Sequence, residues 1–175
     1  MAERFNIPMS VVLVRKLGLP WNEEAGFGAI DPDGTPYYDK SVLSYLSEED
    51  IKQVVEKELK ELRERERKFV PRGYPDLRGR QVIIVDDGVA TGYTAIAAAN
   101  WAKKKGASEV IIAVPVCPSD AKERLERYAD KFVCYYSSDA PSFAVGMFYR
   151  DFHQLSDEEA KEYLRRAEEK GLLEP

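Results

Sequence analysis

Two adjacent acids, Asp86 and Asp87, stand between an apolar run and a loop of small residues in QVIIVDDGVATGYT, residues 81–94. Carboxylates side by side can accept hydrogen bonds from vicinal sugar hydroxyls, or hold a hard divalent cation through water. Gly88, Val89, Ala90, Thr91 and Gly92 follow, and from about Thr94 the stretch TAIAAANWAKKK is rich in helix formers until Gly106. A glycine-bearing turn entering a helix leaves several backbone N–H groups unpaired, and the helix dipole favours negative charge at that end. The acids cannot bind the anion that the loop invites. Together the two halves imply a phosphorylated sugar.

Other phosphate motifs fit poorly. A Walker loop needs GxxxxGK[ST], and no Lys follows Gly92; a dinucleotide fingerprint needs GxGxxG, and Gly88 and Gly92 are spaced otherwise. Asp-Gly is also a common turn dipeptide, but a bland turn does not require the paired acids, the Thr-Gly and the helix together.

These residues need a scaffold. Val82–Val85 is a continuous β-branched run, the pattern of a strand buried on both faces as in a parallel sheet. Val11–Val14 reads as another strand, and Arg15 and Lys16 directly after it suit an oxyanion if they face the crevice at the strand ends. Further strands are expected over Val110–Val116 and Phe132–Tyr136, alternating with helices, which argues for an α/β fold with a parallel sheet in a single domain over 1–175.

Ile51, Val54, Val55, Leu59, Leu62 and Phe69 fall at helical spacing behind a Ser47–Asp50 capping pair. Glu56 with Lys60 and Glu61 with Arg65 are expected to pair along its solvated face. Ser156 and Glu159 cap a final helix over 156–171. The segment 17–38, punctuated by Gly18, Pro20, Gly26, Gly28, Pro32, Gly34 and Pro36, reads as a flexible loop or hairpin with a tight turn at DPDG, with a short edge strand over Phe27–Ile30 as the plainer alternative.

The formal net charge is −5 with no basic stripe, which argues against nucleic acid, and no apolar run is long enough to span a bilayer. A cytoplasmic protein is expected. Cys117 and Cys134 lack metal or redox spacing and read as small hydrophobes, and the sole histidine, His153, as a surface residue. Abundant Glu, Lys and Arg suggest a thermophilic source.

VIIVDDGVATGYT resembles the 5-phosphoribosyl 1-pyrophosphate (PRPP) signature of the type I phosphoribosyltransferases, and VVLVRKLGLPWNEEAGFGAI is similar to a segment of bacterial and archaeal members in which a mobile loop follows the strand. The resemblance runs from Val11 to about Glu159. It implies a three-layer α/β/α fold with a mainly parallel sheet, and Mg²⁺-dependent transfer of phosphoribosyl from PRPP to an acceptor, a nitrogenous base or another nucleophile, with release of pyrophosphate. By matching position, Asp86 and Asp87 would meet the ribose hydroxyls and, indirectly, the metal. Gly88, Val89, Ala90, Thr91, Gly92 and Thr94 would wrap the 5′-phosphate. Arg15 and Lys16 would offset charge on the pyrophosphate, 17–38 would be a lid, and a homo-oligomer, a dimer, is expected. Base recognition would come from strand ends near Val116–Pro118 and Ser137–Asp139.

Members of that family begin with an earlier strand and a glycine-containing pyrophosphate loop, then a helix. Here the chain opens MAERFNIPMSVVLV, and Met1–Phe5 resembles the end of that helix, so the N-terminal strand is missing from this sequence. An internal Met taken as the start, a shortened chain and a native form without the loop all stay open. A non-catalytic PRPP or nucleotide sensor is therefore the alternative to an enzyme.

Overall fold

The computed structural model describes residues 1–174. Helix α1 (Ala2–Phe5) is a single turn closed by Asn6 in the left-handed conformation, φ 51°. The chain then runs through Val11–Val14 without forming the expected strand, and just before it an isolated bridge joins Met9 to Leu173. A β-branched run becomes a strand only where a neighbour accepts its backbone bonds, and here it lies half-buried with Val12 against the core.

Strand β1 (Arg15–Leu19) starts where that run was expected to end, and pairs antiparallel with β2 (Asn22–Ile30), which pairs antiparallel with β3 (Pro36–Tyr38). The segment 17–38 is thus an antiparallel meander rather than an irregular loop. Phe27 to Ile30 lies in its central strand, not at an edge, and Leu17, Phe27 and Ile30 are fully buried. Its tip, Pro20 to Glu24, is exposed.

The DPDG turn is built around a fully buried carboxylate. Asp31 accepts from the Asp33 N–H at 2.9 Å, the Thr35 N–H at 3.0 Å and the Tyr37 hydroxyl at 3.1 Å, while Lys104 Nζ lies 2.8 Å from its other face. Lys104→Met is expected to cost about 1–2 kcal/mol, less than the usual penalty for a broken buried pair because three donors remain. The melting temperature should fall by roughly 2–8 °C.

After the short α2 (Lys40–Leu43), α3 (Glu48–Phe69) opens with the full reciprocal capping box of Ser47 and Asp50. Its apolar stripe packs on β1 and β2 around Leu62. Neither Glu56–Lys60 nor Glu61–Arg65 forms an ion pair among the described residues. The helix charges reach across the fold instead, Lys57 to Glu23 at 2.8 Å and Arg65 and Lys68 to Asp157 at 3.6 and 3.1 Å.

β4 (Gln81–Val85), β5 (Glu109–Pro118) and β6 (Lys131–Ser138) form a parallel sheet in that order, joined by α4 (Tyr93–Lys104) and α5 (Ala121–Leu125). The fold is α/β. Ala95, Ala97, Ala98, Ala99 and Ala102 make α4 slender enough to sit between the two sheets, contacting strands of both. β4 is not buried on both faces: Val82 and Ile84 pack inward, while Ile83 and Val85 are exposed, with Val133 and Tyr135 of β6 exposed as well. A 3₁₀ turn (Val145–Phe148) precedes α6 (Asp157–Glu169), which Ser156 caps and Gly171 follows at φ 67°.

Candidate functional site

The carboxyl end of β4 delivers Asp86 and Asp87 to the head of α4, because strand, turn and helix are continuous in the chain. Asp86 Oδ1 accepts the Asp87 N–H at 2.9 Å, which sets the two carboxylates in relation to each other. The Tyr149 hydroxyl donates to the Asp87 carbonyl at 2.6 Å. Burial raises the Tyr149 phenol, and the charges of Asp87 and then Asp86 add to it, so the phenol stands beside both acids.

The loop that follows is tied down from the sheet side. Val89 N–H donates to the Val116 carbonyl at 3.0 Å, and Gly88 sits so close to Val145 and Val116 that a Cβ would lie 2.7 and 2.8 Å from their methyls. Gly92, at φ 89°, is the N-cap of α4 and offers no side-chain cap. Among the described residues the N–H groups of Ala90, Thr91, Gly92, Tyr93, Thr94 and Ala95 have no protein acceptor. A run of free donors at the positive end of a helix of 12 residues is the kind of surface that suits an anion.

Asp86 keeps accessible surface, yet protein packed around its carboxyl pushes it up to about 6. The Asp87 N–H opposes this and the Asp87 charge reinforces it. A carboxyl raised on folding adds stability that is complete below its unfolded value near 4 and is lost as pH climbs through about 6. Asp86→Asn is therefore expected to melt above wild type at pH 8 and equal to it at pH 4. Solvent screening limits the gain to about 1 kcal/mol, or roughly 2–4 °C in thermal melts.

Arg15 and Lys16 are placed differently. Arg15 Nε is 2.8 Å from Glu58 of α3, and Lys16 Nζ donates to the Glu24 carbonyl at 2.8 Å. Both line a groove of about 670 Å³ with Glu23, Lys57, Glu58 and Gln154, and Asp86 and Asp87 are not among its walls.

Reading by motif missed the cover of the site. Tyr149 and Val145 come from a segment some sixty residues away in sequence, and only the aromatic density of MFYRDF hints at it. Phe148 packs against Tyr136 at 5.7 Å and Phe143 at 5.3 Å between ring centroids, giving the end of the parallel sheet an aromatic wall. The strand ends expected near Val116–Pro118 and Ser137–Asp139 do meet, through the Ser119 N–H to the Ser138 carbonyl at 2.9 Å, and Val116 touches the Gly88 position. Cys117 is buried, which pushes its thiol up to about 12. His153 is exposed, between Asp151 and Glu159 at 3.4 Å each.

No cluster of three or more metal-ligating side chains exists among the described residues. The donor set that Asp86 and Asp87 do offer, two hard carboxylates whose charges oppose each other, fits Mg²⁺ held jointly with a ligand and water rather than in a protein cage.

Known proteins resemble this chain in sequence and fold. The model of the phosphoribosyl transferase domain matches residues 1–150. The chain is 42% identical over 169 residues to a protein named "Putative phosphoribosyl transferase" in two Mycobacterium tuberculosis strains, CDC 1551 / Oshkosh and H37Rv. That match covers 95% of this chain and 38% of each relative, so the chain spans well under half the length of these curated relatives. The crystal structure of TT1426 from Thermus thermophilus superimposes with a TM-score of 0.72 at 34% identity, over 94% of this chain and 79% of that one. No helix among the described residues is long and apolar enough to cross a membrane.

Proposed function

Since this chain belongs to the phosphoribosyl transferase domain family, we propose that it transfers phosphoribosyl from PRPP to a nitrogenous base with release of pyrophosphate. The observation that carries this reading is the placement of Asp86 and Asp87 directly before a run of free N–H donors at the head of α4. The 5′-phosphate takes the donors from Ala90 to Thr94, within the loop that starts at Gly88. The ribose then lies back toward β4, where the two carboxylates accept from its hydroxyls.

In the reaction the base nitrogen forms a bond to the anomeric carbon as the carbon–oxygen bond to pyrophosphate breaks, and the electron pair leaves with pyrophosphate. No side chain at the site serves as a covalent nucleophile, so the protein's work is holding and charge placement. Bound Mg²⁺, with Asp86 and Asp87 as its nearest acids, would supply positive charge to the leaving group. Tyr149 and the Phe148 wall keep water from the sugar on the side of the sheet end. Arg15 and Lys16 contribute to the pyrophosphate side once Arg15 exchanges Glu58 for the anion.

The pairing of Arg15 with Glu58 favours a second reading, a domain that binds PRPP without turning it over. A pyrophosphate-release assay with PRPP, Mg²⁺ and a panel of purine and pyrimidine bases separates the two. Release dependent on one base supports transfer. Binding of PRPP with no release across the panel supports the sensor and overturns the enzyme.

A further inference from the structure

We propose that Arg124 is a positioning residue that gives the 88–92 loop its phosphate-binding shape, an inference that rests on the phosphoribosyl reading above. Arg124 sits on α5, which Ala121 and Leu125, both fully buried, anchor to the core. Its Nη2 donates to the Ala90 carbonyl at 3.1 Å, across 34 residues of sequence.

That bond fixes more than one atom. In a trans peptide the carbonyl of one residue and the N–H of the next point in opposite directions. Holding the Ala90 carbonyl against α5 therefore turns the Thr91 N–H away from α5, and that N–H is one of the donors without a protein acceptor. The next residue on α5 completes the grip, since a Cβ on Gly92 would lie 2.8 Å from Leu125 Cδ2. α5 thus holds the loop on both sides of Thr91.

A surface role does not explain the placement. The pair with Asp120 is a loose 3.5 Å contact of the i,i+4 kind, available to any exposed arginine. Arg124 Nε, by contrast, is buried with no protein acceptor. Burying a donor unpaired costs stability, and such groups in native folds call for a reason. Reaching the Ala90 carbonyl supplies one.

The test uses the full chain and compares wild type with R124M, which keeps an apolar stem of similar bulk, and R124K, which keeps a donor within reach of Ala90. Affinity for ribose 5-phosphate and for PRPP with Mg²⁺ is measured by calorimetry, and amide exchange over residues 86–94 is followed without ligand. R124M is expected to lose about tenfold or more in affinity for both ligands, by the same factor because both carry the 5-phosphate. Its loop should exchange faster while its melting curve stays with wild type, and R124K should recover most of the affinity. Unchanged affinity in R124M overturns the inference, as does a loss that R124K leaves in full. If wild type itself binds neither ligand, the phosphoribosyl reading falls and takes this role with it; if wild type binds and R124M binds equally, the role of Arg124 alone falls.

Discussion

Asp86→Asn/Asp87→Asn should lose PRPP binding by a hundredfold or more while folding at least as well as wild type. Each carboxylate that accepts from a sugar hydroxyl makes a charge-assisted bond of about 1.5–3 kcal/mol, and the double change weakens both. It also removes the charge that would hold Mg²⁺, so the dependence of binding on Mg²⁺ should flatten. The fold does not suffer, because burial and mutual repulsion make the ionised pair a source of strain rather than of stability. Calorimetric titration at pH 8, beside thermal melts of the same samples, reads both effects. A double variant that binds PRPP like wild type would remove the acids from the site. One that fails to fold would show that they hold the loop together.

Gly92→Ala has the other large effect, and it acts on the fold and the site at once. At φ 89° an L side chain is strained, and the new Cβ would stand 2.8 Å from Leu125 Cδ2, a fully buried neighbour with little room to yield. Strain of about 1–2 kcal/mol and overpacking of about 1–3 kcal/mol give a loss of roughly 2–5 kcal/mol. Gly73 makes a control, since it has φ 83° and nothing within 4 Å of its missing Cβ. Gly73→Ala should therefore show the strain alone, about 1–2 kcal/mol. Denaturant melts of the two variants separate backbone strain from contact, and equal losses would mean that Leu125 gives way. Ribose 5-phosphate affinity should fall in Gly92→Ala only.

The parts of this molecule that were legible in the sequence are those in which position follows from neighbours in the chain. β4, the Asp86–Gly92 turn and α4 are consecutive, so their residue types alone place acids and free N–H donors together. The same holds for the Ser47 and Ser156 caps. Where position depends on a distant partner the reading failed. Val11–Val14 has the composition of a strand, but no strand among the described residues pairs with it. The glycines of 17–38 look like loop punctuation, but Gly28 lets β2 approach β3, since a Cβ there would meet the Tyr37 carbonyl oxygen at 2.2 Å, and Gly18 plays the same part toward Glu23 at 2.7 Å.

The candidate site divides along the same line. Asp86, Asp87 and the loop were visible; Tyr149, Val145 and Arg124 were not, because 62, 57 and 34 residues separate them from the Asp87 carbonyl, Gly88 and Ala90 that they hold. Arg15 shows the same limit from the other side. Two cations in sequence after an apolar run suggest a free anion site, yet Glu58, 43 residues on, occupies the guanidinium.

If the free donors at the head of α4 receive the phosphate of a phosphorylated sugar, their own amide resonances should report it. ¹⁵N-labelled protein titrated with ribose 5-phosphate is expected to give saturable shifts that are largest at Ala90, Thr91, Gly92, Tyr93 and Thr94, with a smaller response at Asp86 and Asp87. Shifts confined to the groove around Arg15, Lys16 and Lys57, or none at millimolar ligand, would contradict that assignment.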